Sequence, residues 1–334
     1  VCADQAGKRP ALASNDNPAM LILETERLRL RWFTPSDADA DFLRALLNDP
    51  GWLANIGERH VRTRRQALAW IATRHTANYG RLGFGFWAVE RKSDGALLGM
   101  CGLVKRDTLL EADVGYALMP EFRGQGYARE AAAACVRYAR EALGMAEVWG
   151  ITGPGNEASA AVLREIGLED TGVTRLVGEE RETRVFKSPR VDPGDDEAQI
   201  AALTRRFLAA FTNREGVIPT LPALPHFFMQ DAIVRAADAL GTIVSTGLHG
   251  FIAPRAELLA RGRLVDFEEH ETESRTEIRG GIAQRWLRYA KRGTLDGVAF
   301  EGGGTKALQF VRTARDWKIA SLVWTDDAPD GYTR

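Results

Sequence analysis

Charge of one sign is missing from this chain: 44 lysines and arginines stand against 45 aspartates and glutamates over 334 residues, a formal net charge of −1. With acids and bases well mixed, no field exists to gather a polyanion or an anionic bilayer, so neither nucleic acid nor membrane is an expected partner. Long apolar runs are missing as well. No stretch reaches the ~18 apolar residues of a membrane helix, and residues 1–19 lack the apolar segment of a signal peptide. Cysteine is scarce: Cys2, Cys101 and Cys135 are widely separated and odd in number. Cys101 lies in an apolar run and Cys135 among alanines, surroundings that fit buried thiols and a reducing cytoplasm rather than secretion. Internal repeats and low-complexity tracts are absent.

What is present is core. Hydrophobic residues make up 45% of the chain, with 8 Trp and 14 Phe, ample for packed interiors, and the length predicts about two domains. The boundary falls at Ser188-Pro-Arg-Val-Asp-Pro-Gly-Asp-Asp196, where two prolines, a glycine and three acids separate a strand-like from a helix-like run. The expected organisation is a flexible leader over 1–20, a first domain over 21–187, a linker over 188–196, a second domain over 197–326 and a tail over 327–334. Before the linker, strands and helices alternate: a strand at Leu28–Trp32, a helix capped within Thr34-Pro-Ser-Asp37 and carrying Phe42, Leu43, Leu46 and Leu47, a helix over 65–79, strands over 84–90, 97–104 and 112–118, a helix over 126–143, a strand over 147–152, a helix over 157–166 and two short strands near Val173 and Val185. That order predicts an α/β or α+β domain around a central sheet. After the linker, a helix over 198–212 and a second ending near Phe228 precede strand-like runs over 232–236, 266–278, 282–291, 306–313 and 317–325, a separate α+β domain.

The chemistry concentrates between Asp113 and Ala132. A strand runs into Arg123-Gly124-Gln125-Gly126-Tyr127-Ala128, where a helix begins. A helix start leaves backbone N–H groups without internal partners, and glycines let that backbone approach a ligand closely. The product is an anion site suited to a pyrophosphate. Arg123-x-x-Gly126-x-Ala128 resembles the R/Q-x-x-G-x-G/A coenzyme A signature of the GNAT acetyltransferase superfamily. Asn156-Glu-Ala-Ser159-Ala-Ala-Val-Leu163-Arg-Glu-Ile-Gly167-Leu168 is similar to the helix of its ribosomal-protein N-acetyltransferase branch, one residue shorter before the glycine and with Leu in place of Phe. Glu24-Thr-Glu-Arg-Leu-Arg-Leu-Arg31 is similar to how that branch begins.

The resemblance implies a mixed central sheet flanked by helices, acetyl-CoA as cosubstrate with no metal, and transfer to a primary amine of a small molecule or a protein terminus. It implies that the backbone of Gly124, Gln125, Gly126, Tyr127 and Ala128 cradles the pyrophosphate, with Arg123 adding positive charge. Leu118 and Met119 take the place beside the pantetheine arm. Asn156 contacts the arm from the other side, a role compatible with capping its own helix, and Ser159 lies near the thioester sulfur. Asp113 aligns with a glutamate that some relatives use as general base, with Glu111 in reserve. Leu163 and Ile151 occupy the positions where other branches carry a general acid, which leaves Ser159 as the donor.

Residues 197–326 resemble the SnoaL-like (nuclear-transport-factor-2-like) domains, α+β cones in which helices close over a curved antiparallel sheet. The resemblance rests on the helix Ile200–Phe211, the segment Leu224–Ala232 and the closing Trp317–Trp324. Such a cone implies substrate binding or homodimer formation. His249, His270, Glu268 and Tyr289 are conceivable members of a lyase or isomerase site, and Gly302-Gly303-Gly304 reads as a flexible hairpin tip. A non-catalytic acyl-CoA sensor is the competing reading for the whole chain.

Overall fold

The computed structural model describes residues 20–237 and 242–327, so the leader expected over 1–20 and the tail over 327–334 lie outside the described residues except for Met20 and Asp327. Two sheets organise the molecule. The first strands are β1 (Leu21–Glu24) and β2 (Leu28–Arg31), the latter burying Leu28 and Leu30 between outward arginines, the period-2 pattern of a half-buried strand. Ser36 caps α1 (Asp37–Leu47), which buries Ala40, Leu43, Leu46 and Leu47 at helical spacing. Asp49 caps α2 (Pro50–Asn55), and Thr63 with Gln66 forms a capping box on α3 (Arg64–Trp70).

The single helix expected over 65–79 is interrupted: a π-turn over Ile71–Thr76 joins α3 to α4 (Ala77–Leu82), and Gly83 ends it in the left-handed region. No breaker residue marks the interruption, and periodicity alone could not have shown it. The meander β3 (Phe86–Arg91), β4 (Leu97–Val104) and β5 (Asp113–Leu118) follows, then α5 (Tyr127–Glu141), β6 (Trp149–Thr152), α6 (Glu157–Glu165), β7 (Glu169–Arg175) and β8 (Glu182–Lys187). The sheet order is β1-β2-β3-β4-β5-β6-β8-β7, antiparallel throughout except for the parallel β5–β6 pair. Helices α1 and α3 cover one face and α5 and α6 the other.

The second sheet begins after α7 (Asp196–Ala209) and the short α8 (Leu224–Phe227), with β9 (Phe228–Ala237) and β10 (Ile243–Gly247). Helix α9 (Leu248–Ala260) then precedes β11 (Leu264–Arg279), β12 (Ile282–Leu295), β13 (Val298–Arg312) and β14 (Trp317–Asp326). Its order is β10-β9-β14-β13-β12-β11, with β14 and β9 parallel. Two expectations change here. Helices do not all come first, because α9 and β10 were not read from the sequence. The three glycines 302–304 are no hairpin tip but the middle of β13, and the β12–β13 turn lies at Asp296-Gly297. A Cβ at Gly303 would stand 2.6 Å from the Tyr289 carbonyl oxygen, and one at Gly304 would run into Thr325 O and stand 2.6 Å from the Tyr289 hydroxyl. Gly303 and Gly304 are there because Tyr289 and neighbouring backbone leave no room for side chains.

One buried apolar cluster is continuous from Ile22 and Leu28 in the first sheet to Phe310 and Leu322 in the second. Direct seams join the two parts. A Cβ at Gly83 would stand 2.9 Å from the carbonyl oxygens of Pro222 and Ala223, and the rings of Phe84 and His226 meet edge-to-face at 5.7 Å. Arg140 fastens the start of the segment expected as a linker, bonding Ser188 Oγ at 2.6 Å and the carbonyls of Ala146 and Pro189.

Candidate active site

The parallel pair β5–β6 holds together only at Asp113–Trp149 and Val114–Gly150. Beyond that point β5 continues along β4 and β6 along β8, so a gap opens between their carboxy-terminal halves. Helix α6 lies close beneath β6: a Cβ at Gly150 would be 2.5 Å from Leu163. At the far end of β5, Met119 leads through a 3-10 turn (Pro120–Phe122) into the glycine loop and α5.

Gly124 and Gly126 both sit in the left-handed region, at φ 72° and 80°, and a Cβ at Gly124 would meet nothing within 4 Å. Helix α5 starts without a side-chain cap, leaving its first N–H groups to other partners. Its first turn is clamped by Glu130, whose carboxylate takes Thr25 Oγ1 at 2.5 Å, the Arg27 N–H at 2.9 Å and Arg27 Nε at 2.6 Å. Arg27 also lies 4.4 Å over the Tyr127 ring, and both Arg27 and Arg129 reach within about 4 Å of where a Gly126 side chain would begin. These two arginines stand beside the loop, Arg27 ion-paired with Glu130 and Arg129 3.4 Å from Glu165, and neither was singled out from the sequence, although both flank the motif in space.

Arg123, expected to lend positive charge there, is turned elsewhere. Its Nε donates to Leu118 O at 2.9 Å and its Nη2 to the buried carboxylate of Asp49. Arg123 thereby ties the loop to the cap of α2, and a Cβ at Gly51 would stand 2.7 Å from its guanidinium. Leu118 is buried against Gly99, Met119 packs partly buried against the cluster under α1–α3, Tyr127 is buried and Ala128 half-buried, while Gln125 bonds back to Glu121 O at 2.8 Å.

Across the gap, Asn156 caps α6 by accepting from the Ser159 N–H at 3.1 Å. Ser159 Oγ lies 3.0 Å from the Tyr116 hydroxyl, which also donates to Ser159 O at 2.9 Å. This hydroxyl pair bridges β5 and α6 where the strands diverge, and burial pushes the phenol up to about 12. Sequence reading missed Tyr116. Its signal was its place three residues after Asp113, which puts it on the opposite face of the strand, toward α6.

Asp113 differs from its expected role. Its side chain is 2% exposed, and its two oxygens engage Arg106 at 2.8 and 3.4 Å. Burial raises its pKa while Arg106 pulls it down. Asp113, expected as a base acting through a bridging water, is enclosed under Arg106 and does not face an amine directly. Glu111 has Arg190 at 3.7 Å. Among the described residues, no three His, Cys, Asp or Glu side chains are grouped to hold a metal, and no helix is long and apolar enough to cross a membrane. In the second sheet, His249 and His270 are exposed and Glu268 is paired with Arg292. Only Tyr289, of the residues expected there, faces the interior.

A profile of the acetyltransferase (GNAT) domain matches residues 27–169. An uncharacterised protein of Bacillus subtilis, YkkB, is 32% identical over 150 residues, covering 44% of this chain and 84% of that protein. The uncharacterised N-acetyltransferase YoaA of the same bacterium is 31% identical over 155 residues, covering 46% and 86%. Among solved structures, a ribosomal-protein-S5-alanine acetyltransferase from Vibrio fischeri aligns over 52% of this chain and 98% of its own, at 20% identity and a TM-score of 0.42.

Proposed function

The chain belongs to the GNAT acetyltransferase family through residues 27–169, and from that premise we propose that it transfers an acetyl group from acetyl-CoA to a primary amine of a small molecule or a protein terminus. The observation that carries the reading is the uncapped start of α5 behind two left-handed glycines, beside strands that part. Those residues fit the cosubstrate: free N–H groups and open space at Gly124 suit a pyrophosphate, and the gap suits an extended arm. When bound, acetyl-CoA supplies the acyl group as an activated thioester.

The backbone of Gly124 to Ala128 holds the pyrophosphate in this reading, with Arg27 and Arg129 beside it. Leu118 and Met119 flank the arm on the β5 side and Asn156 on the α6 side. The Tyr116–Ser159 hydroxyl pair delivers a proton to the departing sulfur, the duty that the sequence left to Ser159 alone. With Asp113 engaged by Arg106, the base expected from the sequence is not free for the amine. A lysine amine costs about 4.6 kcal/mol to neutralise at pH 7, an α-amine only about 1.1, so the arrangement favours an acceptor of low pKa.

Residues 21–187 form the transferase unit in this reading, 188–196 the connection and 197–326 a SnoaL-like cone. The sheet order β10-β9-β14-β13-β12-β11 with helices packed against it supports the cone, whose roles are ligand binding or homodimer formation. Free, buried Cys101 and Cys135 support a cytoplasmic setting.

Calorimetric titration of acetyl-CoA into the wild type and Gly126→Trp, followed by thiol release with a panel of amines, tests the proposal. Binding lost in the variant and release with an α-amine support it. Binding without release for any amine indicates a sensor, and no binding at all refutes the assignment.

A further inference from the structure

A second site lies inside the curved sheet. A cavity of about 350 Å³ opens there, walled by Phe207, Phe211, Phe251, Leu258, Phe300 and Trp324, the size and apolar lining of a small-molecule pocket. Within this wall stand charged groups that a cavity serving only as packing has no reason to hold. Lys306, 7% exposed, pairs with Glu269 at 2.7 Å and lies 3.5 Å over the Tyr289 ring. The Tyr289 hydroxyl donates to Asp326, which also accepts from Lys291 at 2.8 Å. Both lining carboxylates are thus matched by a lysine.

Arg255 is the cation left over. It lines the cavity from α9, its guanidinium 4.0 Å over Phe251 and 5.5 Å from the Trp324 ring centre. Its hydrogen bond is to Phe251 O, at 2.8 Å, and among the described residues no carboxylate comes within ion-pairing distance. Burial lowers its pKa by more than Glu269 and Asp326, each already paired with a lysine, raise it. Three cations against two carboxylates leave the lining one positive charge in excess.

We propose that this cavity binds a small apolar monocarboxylate, an aromatic or branched aliphatic body among the rings with its single carboxylate on Arg255. The fork of a guanidinium matches a carboxylate in two-point contact, and the Phe251 and Trp324 rings, edge-to-face at 5.7 Å, hold that fork in place. One excess charge selects a monoanion. A neutral ligand leaves Arg255 uncompensated, and an amine meets repulsion. The site is separate from the gap between β5 and β6 and does not depend on acyl transfer.

The test is calorimetric titration of the full chain, with saturating coenzyme A present, using indole-3-acetate, 4-methylpentanoate and the neutral indole-3-acetamide. At least one acid saturates a single site, and indole-3-acetate binds roughly tenfold or more tightly than its amide. Arg255→Met weakens the acids by a similar factor, and Arg255→Lys restores part of the loss. The inference is overturned if neither acid saturates, if acid and amide bind the unaltered protein equally, or if Arg255→Met binds the acids undiminished. The acid–amide comparison needs no variant, so a variant that fails to fold leaves the test intact.

Discussion

The hydroxyl of Tyr116 and that of Ser159 form a short relay between a strand and a helix that have just separated. A phenol with its pKa pushed up to about 12 stays protonated at neutral pH, so it has a proton to give to a leaving group, although as a weaker acid than a free tyrosine. Tyr116→Phe should therefore lower kcat about a hundredfold while leaving the acetyl-CoA affinity, measured by calorimetry, within about twofold. Loss of affinity with unchanged kcat would make the pair a binding feature instead. His75 carries a second residue-scale prediction. Its ring is buried with neither nitrogen hydrogen-bonded, and burial brings its pKa to about 4. The unfolded chain takes up a proton near pH 6.5 that the folded chain refuses until about pH 4. The contribution of His75 to stability is thus complete above pH 6.5 and falls by roughly 2–3 kcal/mol toward pH 4.5. Urea unfolding at both pH values should show that loss, and His75→Phe should reduce it. Half-buried His226, with a pKa lowered to about 3, adds a loss of similar size that persists in the variant.

At the scale of elements, the stretch from Leu97 to Leu168 was the most legible. Its apolar periods are clean, and its two motifs fall at a strand–helix turn and at a helix start, so β4, β5, α5 and α6 appear within two residues of their expected bounds. What stayed hidden depends on contacts between distant segments. Arg123 reads as a phosphate ligand until Asp49, 74 residues away, is seen to hold it. Asp113 reads as a base until Arg106 folds over it from the loop after β4. The three glycines of β13 read as a turn because glycine usually marks one, and only the contacts with Tyr289 and Thr325 explain Gly303 and Gly304. Gly304→Ala should consequently cost about 1–3 kcal/mol in thermal or urea unfolding, where the same change in a turn would be nearly neutral. Asp49→Ala should cost about 1–2 kcal/mol through the lost cap of α2 and should also raise KM for acetyl-CoA, since it frees Arg123 from the loop's underside. An unchanged KM would confine Asp49 to its helix.

For the whole molecule, the continuous buried cluster matters more than the boundary read at residues 188–196. Composition marks that boundary by prolines and acids, but it carries no information about which surfaces meet once the chain has passed it. Because apolar packing crosses from one sheet to the other, calorimetric unfolding should show a single transition. Gly83→Val, which places a branched side chain against the Pro222 and Ala223 carbonyls at a left-handed position, should split it in two. Two transitions in the unaltered protein would show the seam to be weak.

Arg140 adds a mechanical consequence. By gripping Ser188 and Pro189, with the Val191 N–H bonded to Ala146 O at 2.9 Å, it shortens the free joint to residues 192–195. Four residues reach at most about 14 Å when stretched, too little for one half to wander around the other. The protein should tumble in solution as a single rotor with one correlation time. A ligand leaving the cavity of the second sheet then departs in a fixed direction relative to the gap between β5 and β6, and the distance between the two mouths is a constant of the molecule.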